Sequence, residues 1–262
     1  MTDLRTTDRP LGGKHIIVTG AGSGIGAATA RMAAVKGASV AVVDLDAQRA
    51  DAVVADITAA GGTALALTTD VAQESEVSAM VDAAAQAFGT IHGIVNNAGV
   101  IVTRPLVETS VEEWDRCMDI NARGVFLGCK YAVRHFLEHQ VRGAIVNTGS
   151  ISALTGQKGQ AAYAASKGAI VQLTRQIAVE HAAAGIRCNS VGPGSVRSAV
   201  LDSFLASQED PAAAEIALAQ THPVNRIGAA EEVAGANCFL LSDEASFITG
   251  ANLQVDGGYT AA

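Results

Sequence analysis

Short runs of apolar, β-branched residues alternate with longer alanine-rich stretches from Leu11 onward. The runs His15–Thr19, Ser39–Asp44, Ala64–Thr68, Gly93–Asn96, Ala144–Thr148, Arg187–Val191 and Asn252–Val255 predict strands. Strands this continuously apolar need cover on both faces, which the helical stretches between them can supply. The pattern therefore predicts an α/β fold with a parallel sheet between two helical layers. No repeat, low-complexity tract or linker divides the chain, so residues 11–262 read as one domain behind a polar, flexible tail at 1–10. The rhythm breaks once, at about 195–226, where Gly, Ser and Pro mix with an alanine helix. An interruption this late predicts a substrate lid.

Composition narrows the function more than the fold. An apolar fraction of 49% against 17% charged residues can fill a large core. A net charge of −8, no basic run and 4% aromatic residues argue against a nucleic-acid partner. No apolar stretch is long enough to span a bilayer. Cys117, Cys129, Cys188 and Cys238 lie far apart, form no CxxC pair and follow a start that does not read as a signal peptide. Reduced thiols in a cytoplasmic protein are expected. The six histidines show no zinc-ligand spacing with those cysteines, so no metal is expected.

The first strand runs into Gly20, Ala21, Gly22, Ser23, Gly24, Ile25 and Gly26, and a helical stretch follows. Such glycines allow a tight turn and let backbone approach a pyrophosphate, while the new helix aims unpaired N–H groups and its positive dipole end at the anion. The alternative is a glycine turn that only packs a helix on a strand. The second strand ends on Asp44, where an acid beyond the glycine loop can accept from both hydroxyls of an adenosine ribose. A 2′-phosphate would meet repulsion from Asp44 and Asp46. Leu45 and Ser23 offer no cation, and Arg49 is the one basic residue close enough to compete. This combination predicts NAD over NADP, against the alternative that Asp44 caps a helix beginning near Ala47.

Tyr163 and Lys167 stand four apart in a helix-forming stretch, so phenol and ammonium can face one site. A nearby cation favours phenolate, so Lys167 can lower the phenol's pKa, and a positive nicotinamide would add to the effect. Tyr163 could then exchange a proton with an alcohol or carbonyl oxygen while hydride moves to or from a nicotinamide. Alone, such a pair is usually an ordinary helix-surface pair.

Thr19-Gly-Ala-Gly-Ser-Gly-Ile-Gly26, Asn96-Asn-Ala-Gly99, Ser150, Tyr163-x-x-x-Lys167 and Pro193-Gly194 occur in the order seen in short-chain dehydrogenases/reductases. The resemblance runs from about Leu11 to Val255-Asp-Gly-Gly258. It implies a doubly wound (Rossmann) fold with a seven-stranded parallel sheet, and a site of Ser150, Tyr163, Lys167 and Asn121. Ser150, thirteen residues before Tyr163, would hold the substrate oxygen against the phenol, with Ser152 its rival. Asn121 matches the asparagine that holds a water linking Lys167 to solvent. Lys167 would also bind the nicotinamide ribose. Asp70 and Val71 would flank the adenine, and Asn97, Ala98 and Gly99 would form the turn near the adenosine ribose. After the sixth strand, Pro193, Gly194 and Val196 would reach the nicotinamide carboxamide, helped by Ser198 where the family carries threonine.

Ser150, Ser152, Leu154, Gln157, Tyr163 and Leu201 are expected to line the substrate pocket. Leu201, Phe204 and Leu205 form either an apolar lid or a packed helix contact. Arg104 and Arg197 can each meet a carboxylate. The resemblance also implies a homotetramer packed through Ala169–Glu180 and Phe239–Tyr259. Three functions follow: an NAD-linked dehydrogenase of a secondary alcohol or ketone, one of a cyclic diol or sugar alcohol, and a non-catalytic NAD-binding scaffold.

Overall fold

A computed structural model describes residues 9–262; part of the expected tail, residues 1–8, lies outside the described residues. Its seven strands are β1 (His15–Thr19), β2 (Ser39–Asp44), β3 (Thr63–Thr68), β4 (Gly93–Asn96), β5 (Ala144–Thr148), β6 (Arg187–Pro193) and β7 (Asn252–Val255). They form one sheet in the order β3-β2-β1-β4-β5-β6-β7, and every pairing is parallel. This is the doubly wound fold. The order reverses between β1 and β4, so the crevice beyond their carboxyl ends is where such sheets take ligands.

Helices α1 (Gly24–Val35), α2 (Ala47–Ala59), α3 (Glu74–Phe88), α4 (Val111–Met118), α5 (Gly124–Glu138), α6 (Ala161–His181) and α9 (Ala230–Leu241) are packed around the sheet. Two cores result. On one face α1 and α9 bury Ala27, Ala30, Val233 and Leu241 with Ile16, Val18, Val40 and Val42. On the other, α3, α5 and α6 bury Val81, Phe136, Ile170 and Ile177 with Ile17, Ala41, Val43 and Ile145. Alternate residues of β1 and β2 thus enter opposite cores, which is why these strands are apolar throughout.

The segment 195–226, expected to be a lid, contains α7 (Ala199–Ala206) and α8 (Pro211–Gln220). Leu205 is buried and Leu201 half-buried, whereas Phe204 is 50% exposed, so the three are not buried alike. No helix among the described residues is long and apolar enough to cross a membrane. All four cysteines are free and buried.

Candidate active site

The glycine loop shows why its residues are glycine. Gly20 and Gly24 have φ of 61° and 51°, a region that disfavours other side chains. A Cβ on Gly26 would lie 2.1 Å from the Gly20 carbonyl oxygen, and one on Gly22 would lie 2.8 Å from the Asp44 carboxylate. Ser23 enters α1 in extended conformation without a capping side-chain bond, and the first helical bond is Ala27 N–H to Ser23 C=O at 3.1 Å. The N–H groups of the first turn therefore have no side-chain cap, in a cradle that a Cβ would fill. These features fit a pyrophosphate.

Asp44 stands at the end of β2, and Asp46, not Asp44, caps α2 by accepting from Gln48 and Arg49 N–H. Asp44 accepts from Gly22 N–H at 2.8 Å and Asp46 N–H at 3.0 Å, one bond on each oxygen. Each oxygen keeps a lone pair for a hydroxyl. Arg49 pairs with Asp46 at 3.2 Å, and Leu45 is exposed. Asp70 accepts from Ala72 N–H at 2.9 Å, while Val71 packs against Gly124. Asn97 donates to the carbonyls of Thr19 and Gly20, and its N–H and that of Ala98 both donate to the Thr19 hydroxyl. Asn97 thus ties the ends of β1 and β4 together at the switch point.

At the end of β5, the Ser150 hydroxyl accepts from Ser152 N–H at 3.1 Å, and Ser150 is the serine that favours the ionised form of the Tyr163 phenol. The Ser152 hydroxyl donates to Gln160 Oε1 at 2.8 Å, so its proton is committed elsewhere. Of the two serines, Ser150 is the one left to act on the phenol. Lys167 is buried one turn further along α6, with Nζ 5.6 Å from the Tyr163 ring centre and 2.8 Å from the Thr148 carbonyl it donates to. Burial lowers the Lys167 ammonium to about 8. Burial also raises the Tyr163 phenol above its ordinary value, and Ser150 only partly offsets this. In the protein alone, then, burial of the phenol sets the direction, and Lys167, directed at the Thr148 carbonyl, does not reverse it.

Asn121 sits in a π-helical turn, Asp119–Arg123, between α4 and α5. Its amide oxygen accepts from Val100 N–H at 2.8 Å, and its NH2 donates to Val100 C=O at 2.9 Å and Ser166 Oγ at 3.0 Å. Thus the side chain joins three segments around Lys167, and its amide oxygen keeps one lone pair. A Cβ on Gly99 would lie 3.1 Å from Asn121 and 3.7 Å from Lys167 Nζ, so that glycine keeps the space between them open.

Beyond β6, Pro193 pairs only with β7, past the end of β5. Gly194 N–H bonds Val255 C=O, and a bridge to Gly228 uses Ser195 C=O and Arg197 N–H. That pattern turns the N–H of Val196 to the opposite side, where it has no acceptor among the described residues. The Ser198 hydroxyl accepts from Leu201 N–H at 3.2 Å and so helps begin α7, while its Cβ lies 3.9 Å from where a Cβ of Gly24 would be. The structure thereby brings the two glycine-containing loops together. Leu154 is exposed and Gln157 half-buried in the loop before α6. Arg104 is paired with Glu113 at 2.6 Å, and Arg197 with Asp202 and Glu215. The two arginines proposed for a carboxylate are already occupied. Gln160, fixed by Ser152, and Thr148, acceptor for Lys167, are site residues the sequence reading missed; only their nearness to Tyr163 and Ser150 pointed to them.

A family profile described as Enoyl-(Acyl carrier protein) reductase matches residues 20–260. The chain belongs to the short-chain dehydrogenase/reductase family. Dehydrogenases of this family use nicotinamide cofactors, and the relatives are oxidoreductases named for CH–OH substrates. The 2,5-dichloro-2,5-cyclohexadiene-1,4-diol dehydrogenase of Sphingobium indicum is 42% identical over 96% of this chain and 98% of its own. The cis-4-hydroxycyclohexanecarboxylate dehydrogenase of Sinomonas cyclohexanicum is 44% identical over 94% and 96% respectively. The crystal structure of levodione reductase superimposes with a TM-score of 0.92 at 36% identity, covering 96% of this chain and 99% of that one.

Proposed function

We propose that this protein is an NAD-dependent dehydrogenase that oxidises a neutral secondary alcohol, or reduces the ketone, with Tyr163 as general acid/base. The placing of the Tyr163 ring 5.6 Å from the ammonium of buried Lys167, one helical turn on and beside Ser150 at the end of β5, carries the reading. When bound, the nicotinamide takes up or returns the hydride of the carbinol carbon. The chain's own residues handle the oxygen and the proton. Ser150 orients the substrate oxygen, and the phenol oxygen takes its proton during oxidation or supplies one during reduction. Because burial raises the free phenol, the positive charge that draws it down comes with the oxidised cofactor in addition to Lys167. Lys167 holds the nicotinamide ribose, and its proton passes toward solvent along the main chain near Asn121. Val196 N–H meets the carboxamide, Asp70 and Val71 flank the adenine, and the unpaired first turn of α1 takes the pyrophosphate. Asp44 accepts the two ribose hydroxyls and repels a 2′-phosphate.

Residues 195–226 close over the substrate as a lid, with Leu201 among its lining residues. Occupied Arg104 and Arg197 favour an uncharged substrate over a hydroxy acid. Both relatives above are named for substrates with six-membered rings, one a diol and one a hydroxycarboxylate, which supports a cyclic carbinol, and the paired arginines favour its neutral form. The assembly is a homotetramer through Ala169–Glu180 and the Phe239–Tyr259 segment. A screen for NADH formation across cyclic alcohols, diols, hydroxysteroids and hydroxy acids tests the substrate class, with neutral cyclic alcohols expected to be fastest. Turnover of none of them, with NAD binding intact, would replace the enzyme by the scaffold reading.

A further inference from the structure

We infer that His222 is a positioning residue for the nicotinamide end of the site, through the N–H of Ser195. The inference rests on the cofactor reading above, because it concerns the loop whose Val196 meets the carboxamide. His222 follows α8 and is 2% exposed. Its Nε2 accepts from Ser195 N–H at 3.1 Å. An acceptor at Nε2 must be unprotonated, so the neutral ring carries its proton on Nδ1. Nδ1 lies 3.2 Å from the Leu218 carbonyl and 3.0 Å from the Thr221 hydroxyl, which suits a donor. The ring is thus held at one edge by α8 and grips the loop after β6 with the other.

The approach is close enough to require glycine on the loop. A Cβ on Gly194 would lie 2.8 Å from His222 Nε2 and 3.0 Å from Asp256 Cα. The ring of Tyr259 lies 5.3 Å away, centre to centre, and covers another side. His222 therefore joins the loop, the end of α8 and the turn after β7.

On one side the loop packs Val196 against the core, and on the other it borders a cavity of about 340 Å³, lined by Gly194, Ser195, Val196, His222 and Glu232 among others. Its main-chain bonds to Val255 and Gly228 account for Gly194 N–H, Ser195 C=O and Arg197 N–H. Ser195 N–H is left, and His222 takes it. That fixes the peptide plane immediately before the unpaired N–H of Val196. Losing the bond strands a half-buried donor and frees that plane to rotate. The adenosine half of the cleft, built from Gly20–Gly26 and Asp44, follows β1 and β2, with β4 and β5 between β1 and the strand β6 whose loop His222 holds.

Calorimetric binding of NAD and of ADP-ribose, which lacks the nicotinamide, tests this. His222→Phe is expected to weaken NAD about 10-fold and to leave ADP-ribose within about 2-fold, corresponding to the loss of one hydrogen bond worth about 1.4 kcal/mol. Gln places an oxygen near the Nε2 position and is expected to restore NAD affinity to within about 2-fold. Asn reaches only the Nδ1 position and is expected to behave as Phe. This contrast between two polar variants keeps the test decisive if His222→Phe does not fold. Equal NAD affinity in the Gln and Asn variants, or a parallel loss of NAD and ADP-ribose, would overturn the role. Wild-type protein that binds neither ligand would overturn the cofactor reading itself, and this inference with it.

Discussion

Asp44→Asn changes one charge and almost no volume, at the position on which the choice of cofactor depends. In the wild type the carboxylate accepts from Gly22 N–H at 2.8 Å and Asp46 N–H at 3.0 Å, one on each oxygen. Asparagine has a single acceptor oxygen, so one of these donors would face an NH2 group. Hydrogen bonds to charged groups are worth about 1.5–3 kcal/mol each, and the variant loses one such bond in the loop and weakens another to the ribose. The sum, about 3 kcal/mol, corresponds to roughly a 10²-fold fall in kcat/KM with NAD. The repulsion of a 2′-phosphate works the other way. At ~4 Å and an effective dielectric of ~20 a pair of unit charges repels by about 4 kcal/mol, which salt and partial exposure reduce to about 2 kcal/mol, or ~30-fold. Initial rates with each cofactor varied at saturating alcohol are expected to show wild type preferring NAD by at least about 10²-fold. Asp44→Asn should cut that ratio by at least about 30-fold. A wild type that prefers NADP, or a folded variant with an unchanged ratio, would refute the reasoning.

Gly26→Ala drives a methyl group into the Gly20 carbonyl oxygen, 2.1 Å from the ideal Cβ, with no flexible side chain to yield. A loss of about 2–3 kcal/mol is expected, seen as a fall in Tm of at least about 4 °C; an unchanged Tm would contradict the close approach. Lys167 titrates at about 8 in the folded protein against an ordinary 10.5, so the unfolded chain binds more protons between those values. Wild-type stability should therefore rise relative to Lys167→Met as pH increases from about 8 to 10.5, by up to about 3 kcal/mol, and the difference should be constant below about 8. Urea unfolding of both proteins across that range checks it, and a pH-independent difference would show that burial does not suppress the ammonium.

Much of this fold was legible because its strands are apolar on both faces and are separated by helices. The ends were less so. β6 runs on to Pro193 because Val255, distant in sequence, pairs with it, and β3 starts at Thr63 opposite Ser39. Position in the chain placed Tyr163, Lys167 and the glycine loop, but not their energetics. Sequence offers Lys167 as the group that lowers the phenol, whereas the depth of burial sets the opposite direction in the free protein. The π-helical turn at Asn121 and the pairing of Arg104 with Glu113 depend on contacts between segments that no local pattern encodes. His222 was invisible for the same reason: its partner, Ser195, is brought to it by the turn from α8.

The central claim is that the Tyr163 oxygen moves the substrate proton. Tyr163→Phe keeps the ring and deletes that oxygen, so single-turnover hydride transfer from a secondary alcohol, measured as NADH appearance at saturating NAD, tests it most directly. The account predicts a rate at least about 10²-fold below wild type with NAD affinity within about 3-fold. A variant that transfers hydride at the wild-type rate would contradict it.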